Sequence, residues 1–129
     1  MAIPGLYTLV SETVTTAVTA QAQTAIDNLD GMTRATFEAT FSGTGGSTAV
    51  ALIQSRMGSA GAWREIASID FAAAGSKSCT VVSTAATPAA FATLSANSVL
   101  NWLGTELRAV ITSTGTWASG ALAVRVHVT

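Results

Sequence analysis

Apolar and polar side chains alternate along several short segments of this chain. In segment 33–41 (TRATFEATF) every second residue is apolar, namely Ala35, Phe37, Ala39 and Phe41. Because successive side chains of a β-strand point to opposite faces, this pattern predicts a strand with one buried and one solvated face. The alternation is cleanest in the final segment, where the apolar positions are Leu122, Val124, Val126 and Val128.

Other segments repeat this pattern. Segment 49–56 alternates directly after the glycine-rich stretch 42–47, which predicts a hairpin between the strands on either side. Segment 63–73 alternates too, but Glu65 falls out of phase and predicts a β-bulge near Ile66. Further strands are expected at 77–84 and at 106–113.

The segments between these strands are less regular. Residues 27–31 form a predicted turn, in which Asp30-Gly31 suits a left-handed backbone, and residues 87–91 form a predicted loop. Segment 92–103 fits either a strand or a helical turn, and its apolar side chains are expected to be buried: Leu94, Val99, Leu100, Trp102 and Leu103. Residues 1–25 fit either a first strand or an extended arm on a neighbouring subunit.

The spacing of these elements indicates the fold class. Seven or eight short strands, at intervals of roughly ten residues and without a helical period, are typical of an all-β protein. We therefore expect an antiparallel β-sandwich of jelly-roll-like type over residues 26–129. A chain of 129 residues suits one such domain.

Composition narrows the range of functions. Hydrophobic residues make up 49% of the chain and charged residues only 10%, against about 25% charged in ordinary globular proteins. With a formal net charge of -1, the chain offers no basic surface for nucleic acid or for an anionic membrane. A surface with so few charges indicates that partner proteins cover much of it.

The sequence also bears on the cellular compartment. No run of about 18 apolar residues is present, so we expect no spanning helix. The first residues lack the basic stretch of a secretory signal, and Cys79 has no second cysteine with which to form a disulfide. We expect synthesis in the cytoplasm.

Candidate chemical groups are few and scattered. His127 lies out of phase with the apolar face of its strand, and one histidine with one cysteine makes a poor zinc site. Asp27 and Asp30 suit a turn better than a calcium loop, since the required glutamate is missing. The glycine-rich stretch 43–46 lacks the lysine of a phosphate-binding loop. We predict no catalytic, metal or cofactor residues, and a protein that is not an enzyme.

The tryptophans differ in their expected surroundings. Trp63 and Trp102 lie in apolar segments and are predicted to be core residues. Trp117 lies in the turn-like stretch 114–120 and is the best candidate for an exposed aromatic side chain. It fits a contact with a partner protein or with a sugar, because tryptophan is enriched at binding hot spots.

The order of several motifs resembles small β-sandwich virion proteins of tailed bacteriophages. Those proteins share an Asp-Leu-x-Gly turn, a T-x-x-A-x-F strand, a tryptophan that opens a later strand and an L-R-x-x-x-T-x-T-G-T strand. The matching residues here are Asp27, Leu29, Asp30-Gly31-Met32-Thr33, Ala39 to Gly43, Ile53 to Ser55, Ala62 to Ala67 and Leu107 to Thr116. The likeness covers residues 27–128, but Met57 to Gly61 replaces an acidic Asp-Gly-Gly turn, which removes oxygens for a metal or polar ligand.

The resemblance implies a capsid decoration, or cement, protein. Such proteins lie on the capsid exterior in the virion, often as trimers, and stabilise contacts between subunits of the major capsid protein. A homotrimer made in the host cytoplasm is therefore expected, with candidate interface residues Leu6, Tyr7, Leu9 and Trp117. The alternatives are a head-spike, head–tail or tail component, or a carbohydrate-binding module for host adhesion.

Overall fold

A computed structural model describes residues 5–84 and 90–129 of the chain. Eight strands run through these residues, and no helix forms among them. Residues 87–89 of the predicted loop lie outside the described residues. The strands are β1 (Gly5–Thr13), β2 (Val18–Ala22), β3 (Arg34–Thr44), β4 (Thr48–Arg56), β5 (Arg64–Phe71), β6 (Gly75–Val82), β7 (Glu106–Thr114) and β8 (Ala118–Val128).

The strands form two antiparallel sheets of four, which confirms the predicted all-β sandwich. Sheet A has the strand order β1-β8-β3-β6, and sheet B has the order β2-β7-β4-β5. The inner faces of the two sheets bury one shared hydrophobic core, in which Phe41 of sheet A meets Phe71 of sheet B at 5.8 Å between ring centroids. Removal of this apolar surface from water is the main stabilising term.

The predicted alternation is confirmed in the strands where it was clearest. In β3 every second side chain from Ala35 to Phe41 is buried, and β8 shows the same pattern from Leu122 onward. The β-bulge is confirmed as well: Ile53 pairs with Ala67 while the next residue, Gln54, pairs with Glu65. Ile66 is the extra residue, and its side chain is fully buried.

The predicted hairpin between β3 and β4 is wrong. β3 pairs with β6 and β8 in sheet A, whereas β4 pairs with β5 and β7 in sheet B. The glycine-rich stretch between them therefore crosses from one sheet to the other. A short flexible loop fits either geometry, and in the crossing both strands bury their inner faces in the shared core.

Residues 5–22 are built into both sheets. β1 is an edge strand of sheet A paired with β8, and β2 is an edge strand of sheet B paired with β7. The register of β1 shifts between Thr8 and Val10, which allows Leu9 and Val10 both to be buried. Of the two alternatives for this region, the described part has the geometry of strands within the sandwich.

Segment 92–103 forms neither a strand nor a helix. It follows the free edge of β5 through two backbone hydrogen bonds, from the Ser68 N–H to Ser98 O and from the Leu100 N–H to Ile66 O. The expectation that all its apolar side chains are buried is wrong, because Val99 is exposed while Leu103 is buried. The segment covers a sheet edge, so only its end reaches the core, through the buried Leu103 and the half-buried Trp102.

Candidate functional site

Trp117 is buried, and the prediction of an exposed tryptophan in the β7–β8 turn is wrong. Only 3% of its surface is accessible. The indole packs edge-on against Phe41, at 4.7 Å between ring centroids, and lies against Gly43 and Gly46. The glycine-rich loop carries no side chains there, so the indole fills the end of the core. This burial removes the observation that favoured a sugar-binding platform.

The other candidate interface residues occupy different depths on β1. Leu6 is 63% exposed, Tyr7 is half-buried against the core, and Leu9 is 4% exposed. Leu6 therefore belongs to the accessible outer face of sheet A, and Leu9 belongs to the core. The sequence did not distinguish them because the β-bulge between Thr8 and Val10 changes the parity of the strand.

His127 lies on the outer face of sheet A, as its phase predicts. It stands between Leu6 of β1 and Thr36 of β3 in the strand register. Among residues 5–84 and 90–129, no group of three or more His, Cys, Asp or Glu side chains is placed to hold a metal ion. Asp27 accepts a hydrogen bond from the Asn28 side chain within the predicted turn. At Gly31 the positive φ of 82° agrees with the predicted left-handed backbone.

Two further observations concern membrane-spanning helices and the cysteine. No helix in the part of the chain that the structure describes is long and apolar enough to cross a membrane. Cys79 is half-buried on β6, and burial raises the pKa of its thiol.

The outer face of sheet A consists mainly of threonine, serine and alanine side chains, with a few longer ones grouped near one end. Rows of facing residues cross its four strands, and one of them runs Ser11, Ala123, Thr40 and Ser76. The charges at its centre, Glu38 and Arg125, form an exposed ion pair of 2.8 Å. A shallow cavity of about 220 Å³ adjoins this pair, lined by Leu6, Thr36, Glu38, Arg125 and His127.

The outer face of sheet B carries a cluster of arginines on one tryptophan. The guanidinium carbons of Arg56 and Arg108 each lie 4.4 Å from the centroid of the Trp63 ring. Glu106 accepts hydrogen bonds from Arg56 at 2.9 and 3.2 Å, and Gln54 accepts one from Arg108 at 2.7 Å. We call these five residues the arginine cluster.

The cluster corrects the prediction that Trp63 is a core residue. Its ring is half-buried and lies outside the core, on the outer face of sheet B. Burial, followed by repulsion from Arg56, lowers the pKa of the Arg108 guanidinium. Sequence reasoning missed the cluster because β7, which carries Arg108, is far along the chain from β4 and Trp63 and meets them only through strand pairing. The alternation in the sequence showed that Gln54, Arg56 and Arg108 point outward. It did not show which side chains of the adjacent strands they contact.

An aromatic pair, Phe91 and Trp102, lies beside the arginine cluster. Arg64 lies 4.6 Å from the centroid of the Phe91 ring, and Phe91 contacts Trp102 edge-on at 5.0 Å. Trp102 packs against the core, in partial agreement with its prediction as a core residue. A cavity of about 310 Å³ opens between this pair and the arginine cluster, lined by Gln54, Trp63, Arg64, Glu65, Phe91, Ala92 and Thr93.

Comparison of the chain with protein-family models, with curated proteins and with solved structures found no match.

Proposed function

We propose that this chain is a non-enzymatic structural protein of a tailed-phage virion. In this role it binds the capsid exterior as a decoration protein and stabilises contacts between subunits of the major capsid protein. The observation that carries the proposal is the outer face of sheet A, where most side chains are short and the central charges, Glu38 and Arg125, neutralise each other. The motif resemblance over residues 27–128 supplies the virion context.

The chemistry of this face supports a protein partner. The cores of protein interfaces are depleted of charged residues, because desolvating an unpaired charge is unfavourable. Threonine, serine and alanine have little side-chain entropy to lose on contact. The face therefore suits burial against another flat surface, and the exposed Leu6 at its edge adds apolar area.

The size of the face supports repeated rather than single contacts. Four strands about 4.8 Å apart, with the 8 residues of the shortest strand, β6, at about 3.4 Å each, give a footprint of roughly 19 by 27 Å. That footprint is smaller than the ~800 Å² that one partner contributes to a standard interface. Linking copies in an oligomer such as a trimer would raise the effective affinity for a capsid lattice.

The strand order supports the finer description of the fold as jelly-roll-like. Eight strands lie in two four-stranded sheets, and of the successive strand pairs only β4 and β5 share a sheet. Jelly rolls are double-sheet structures of this strand number, and they occur among viral capsid proteins. The two sheets share one core and present their outer faces to partners, which suits a stabilising role.

Binding to capsids that lack the protein tests the proposal. Purified protein is mixed with such capsids and with unassembled capsid subunits, and bound particles are imaged by electron cryo-microscopy. We expect saturable binding to the capsids alone, with regular density at local threefold or vertex positions. No binding to capsids would contradict the proposal, and density on tails instead would favour the head–tail or tail alternative.

A pair of lysine variants tests which face makes the contact. Thr40→Lys puts a charge at the centre of the sheet A face, and Ala22→Lys puts the same charge on the exposed surface of β2 in sheet B. We expect Thr40→Lys to abolish capsid binding and Ala22→Lys to leave it unchanged, because an unpaired ammonium is costly to desolvate. Equal binding by both variants would contradict the role of sheet A.

A further inference from the structure

The arginine cluster contains a positive charge without a carboxylate partner. Arg56 is neutralised by Glu106, whose oxygen lies 2.9 Å from the guanidinium. Within the part of the chain that the structure describes, Arg108 instead donates to the neutral amide oxygen of Gln54 and forms no ion pair. Arg108 is half-buried, so water solvates its charge only in part.

The surroundings of Arg108 make this charge unfavourable in the free protein. Arg56 contacts the same Trp63 ring and repels Arg108, and burial and this repulsion together lower its pKa. The indole ring offers some compensation, because a cation is attracted to its π-face. A bound anion would neutralise Arg108 directly and would shield it from Arg56.

Hydrogen-bond donors at this point remain available to a ligand. The Nε–H of Arg108 is used by Gln54, which leaves the terminal nitrogens, and these present a planar edge that matches a carboxylate. Gln54 uses its amide oxygen in this bond, and its amide nitrogen makes no hydrogen bond among the described residues. The two side chains can therefore donate to one anionic group from adjacent strands.

We propose that Arg108 and Gln54 form a binding site for a carboxylate group. The carboxylate accepts hydrogen bonds from the terminal nitrogens of Arg108 and from the amide nitrogen of Gln54. The rest of the ligand extends past Trp63 into the adjoining cavity of about 310 Å³, toward Phe91. This site lies on sheet B, and it does not rest on the proposed function of the sheet A face.

The charge balance favours a carboxylate over a phosphate. The cluster and the cavity together hold Arg56, Arg64 and Arg108 against Glu65 and Glu106, a net charge of one positive unit. A single negative charge neutralises it, whereas a phosphate carries about −1.5 to −2 at neutral pH. Glu65 lines the cavity and would repel the excess charge.

The carboxylate has two sources that share this chemistry. It belongs either to a free organic acid or to an acidic side chain or C-terminus of a partner protein. NMR titrations of the full chain separate them, with the Nε–H signal of Arg108 and the indole N–H signal of Trp63 as reporters. The probes are acetate, a peptide with blocked termini and a single glutamate, sodium chloride and inorganic phosphate. All are used at constant ionic strength.

Two variants and one control define the specificity. Arg108→Gln removes the charge, Arg108→Lys keeps the charge without the planar edge, and Arg125→Gln removes an exposed arginine from sheet A. We expect saturable shifts of both reporters with a carboxylate in the wild type and in Arg125→Gln. In Arg108→Gln the Trp63 shift is lost, and in Arg108→Lys it saturates only at higher concentration.

The outcomes decide both the site and the source. Saturation by acetate and peptide alike supports a site open to free acids, and saturation by the peptide alone supports a partner protein. Absence of saturable shifts with either carboxylate overturns the proposal. Equal shifts with chloride or phosphate, or a Trp63 shift that survives in Arg108→Gln, overturn it as well.

Discussion

Replacing Gly46 with alanine is expected to destabilise the fold, because the indole of Trp117 occupies the space that the new methyl group needs. A Cβ at Gly46 would overlap the ring and would lie 2.5 Å from Nε1. Neither the loop backbone next to Gly46 nor the indole of Trp117 can move freely. The Ser47 N–H donates to Thr114 O at 3.0 Å, and the indole is held by Phe41 at 4.7 Å between ring centroids.

The size of the effect follows from two opposing terms. Overpacking of a core costs about 1–3 kcal/mol, and the direct overlap at Gly46 puts the variant at the upper end. The change from glycine to alanine restricts the unfolded chain and offsets about 0.4–1 kcal/mol of this loss. The expected net loss is about 2 kcal/mol, which corresponds to a fall in Tm of about 8 °C for a domain of this size.

Urea unfolding followed by circular dichroism measures this loss, with Gly75→Ala as the matched control. A Cβ at Gly75 meets no atom within 4 Å, and neither glycine has a left-handed backbone. We expect Gly75→Ala to leave the free energy of unfolding unchanged or slightly raised. An equal effect of the two substitutions would contradict the packing argument.

A double-mutant cycle isolates the contact itself. Trp117→Ala alone is expected to cost about 3–5 kcal/mol, because it leaves a cavity at the end of the core. In that background Gly46→Ala should cost nothing further, since the overlapping ring is absent. The same cost of Gly46→Ala with and without the indole would show that the ring does not cause the destabilisation.

Three further predictions concern the two ion pairs and the cysteine thiol. Arg56→Gln leaves the Glu106 carboxylate, whose side chain is only 10% exposed, without its partner, so urea unfolding should show a loss of about 2–3 kcal/mol. Arg125→Gln breaks an exposed pair with Glu38 and should cost less than about 1 kcal/mol; similar losses for both would contradict this ranking. For Cys79, the raised thiol pKa predicts slower alkylation at pH 7.5 in the folded than in the urea-unfolded chain, with a rate that keeps rising above the ordinary pKa of about 8.5. Equal alkylation rates would show that the thiol is not shielded.

The local pattern of the chain was sufficient to predict most of the strands. Alternation of apolar and polar side chains identified β3, β4, β7 and β8, and it identified the buried face of β3 and of β8. The phase break at Glu65 even located the bulge, because a bulge changes parity along the chain itself. These features depend on residues that are one or two positions apart in the chain, so the sequence alone is enough to predict them.

Only the tertiary structure decided which strands lie side by side. The glycine-rich stretch between β3 and β4 permits a hairpin or a crossing, and the choice depends on how both strands bury their inner faces together. The burial of Trp117 depends on the same crossing, because the glycine-rich loop that covers the indole lies next to it only when the two sheets stack.

The candidate sites could not be predicted from the sequence for the same reason. Arg56 lies on β4, Trp63 directly precedes β5 and Arg108 lies on β7, and their contacts arise only from the order β7-β4-β5 in sheet B. The outer face of sheet A likewise joins residues from both ends of the chain. The sequence by itself determined the faces of the strands, because side-chain parity is a local property. The tertiary structure decided which faces and charges meet, because pairing between distant strands is settled by the burial of the whole core.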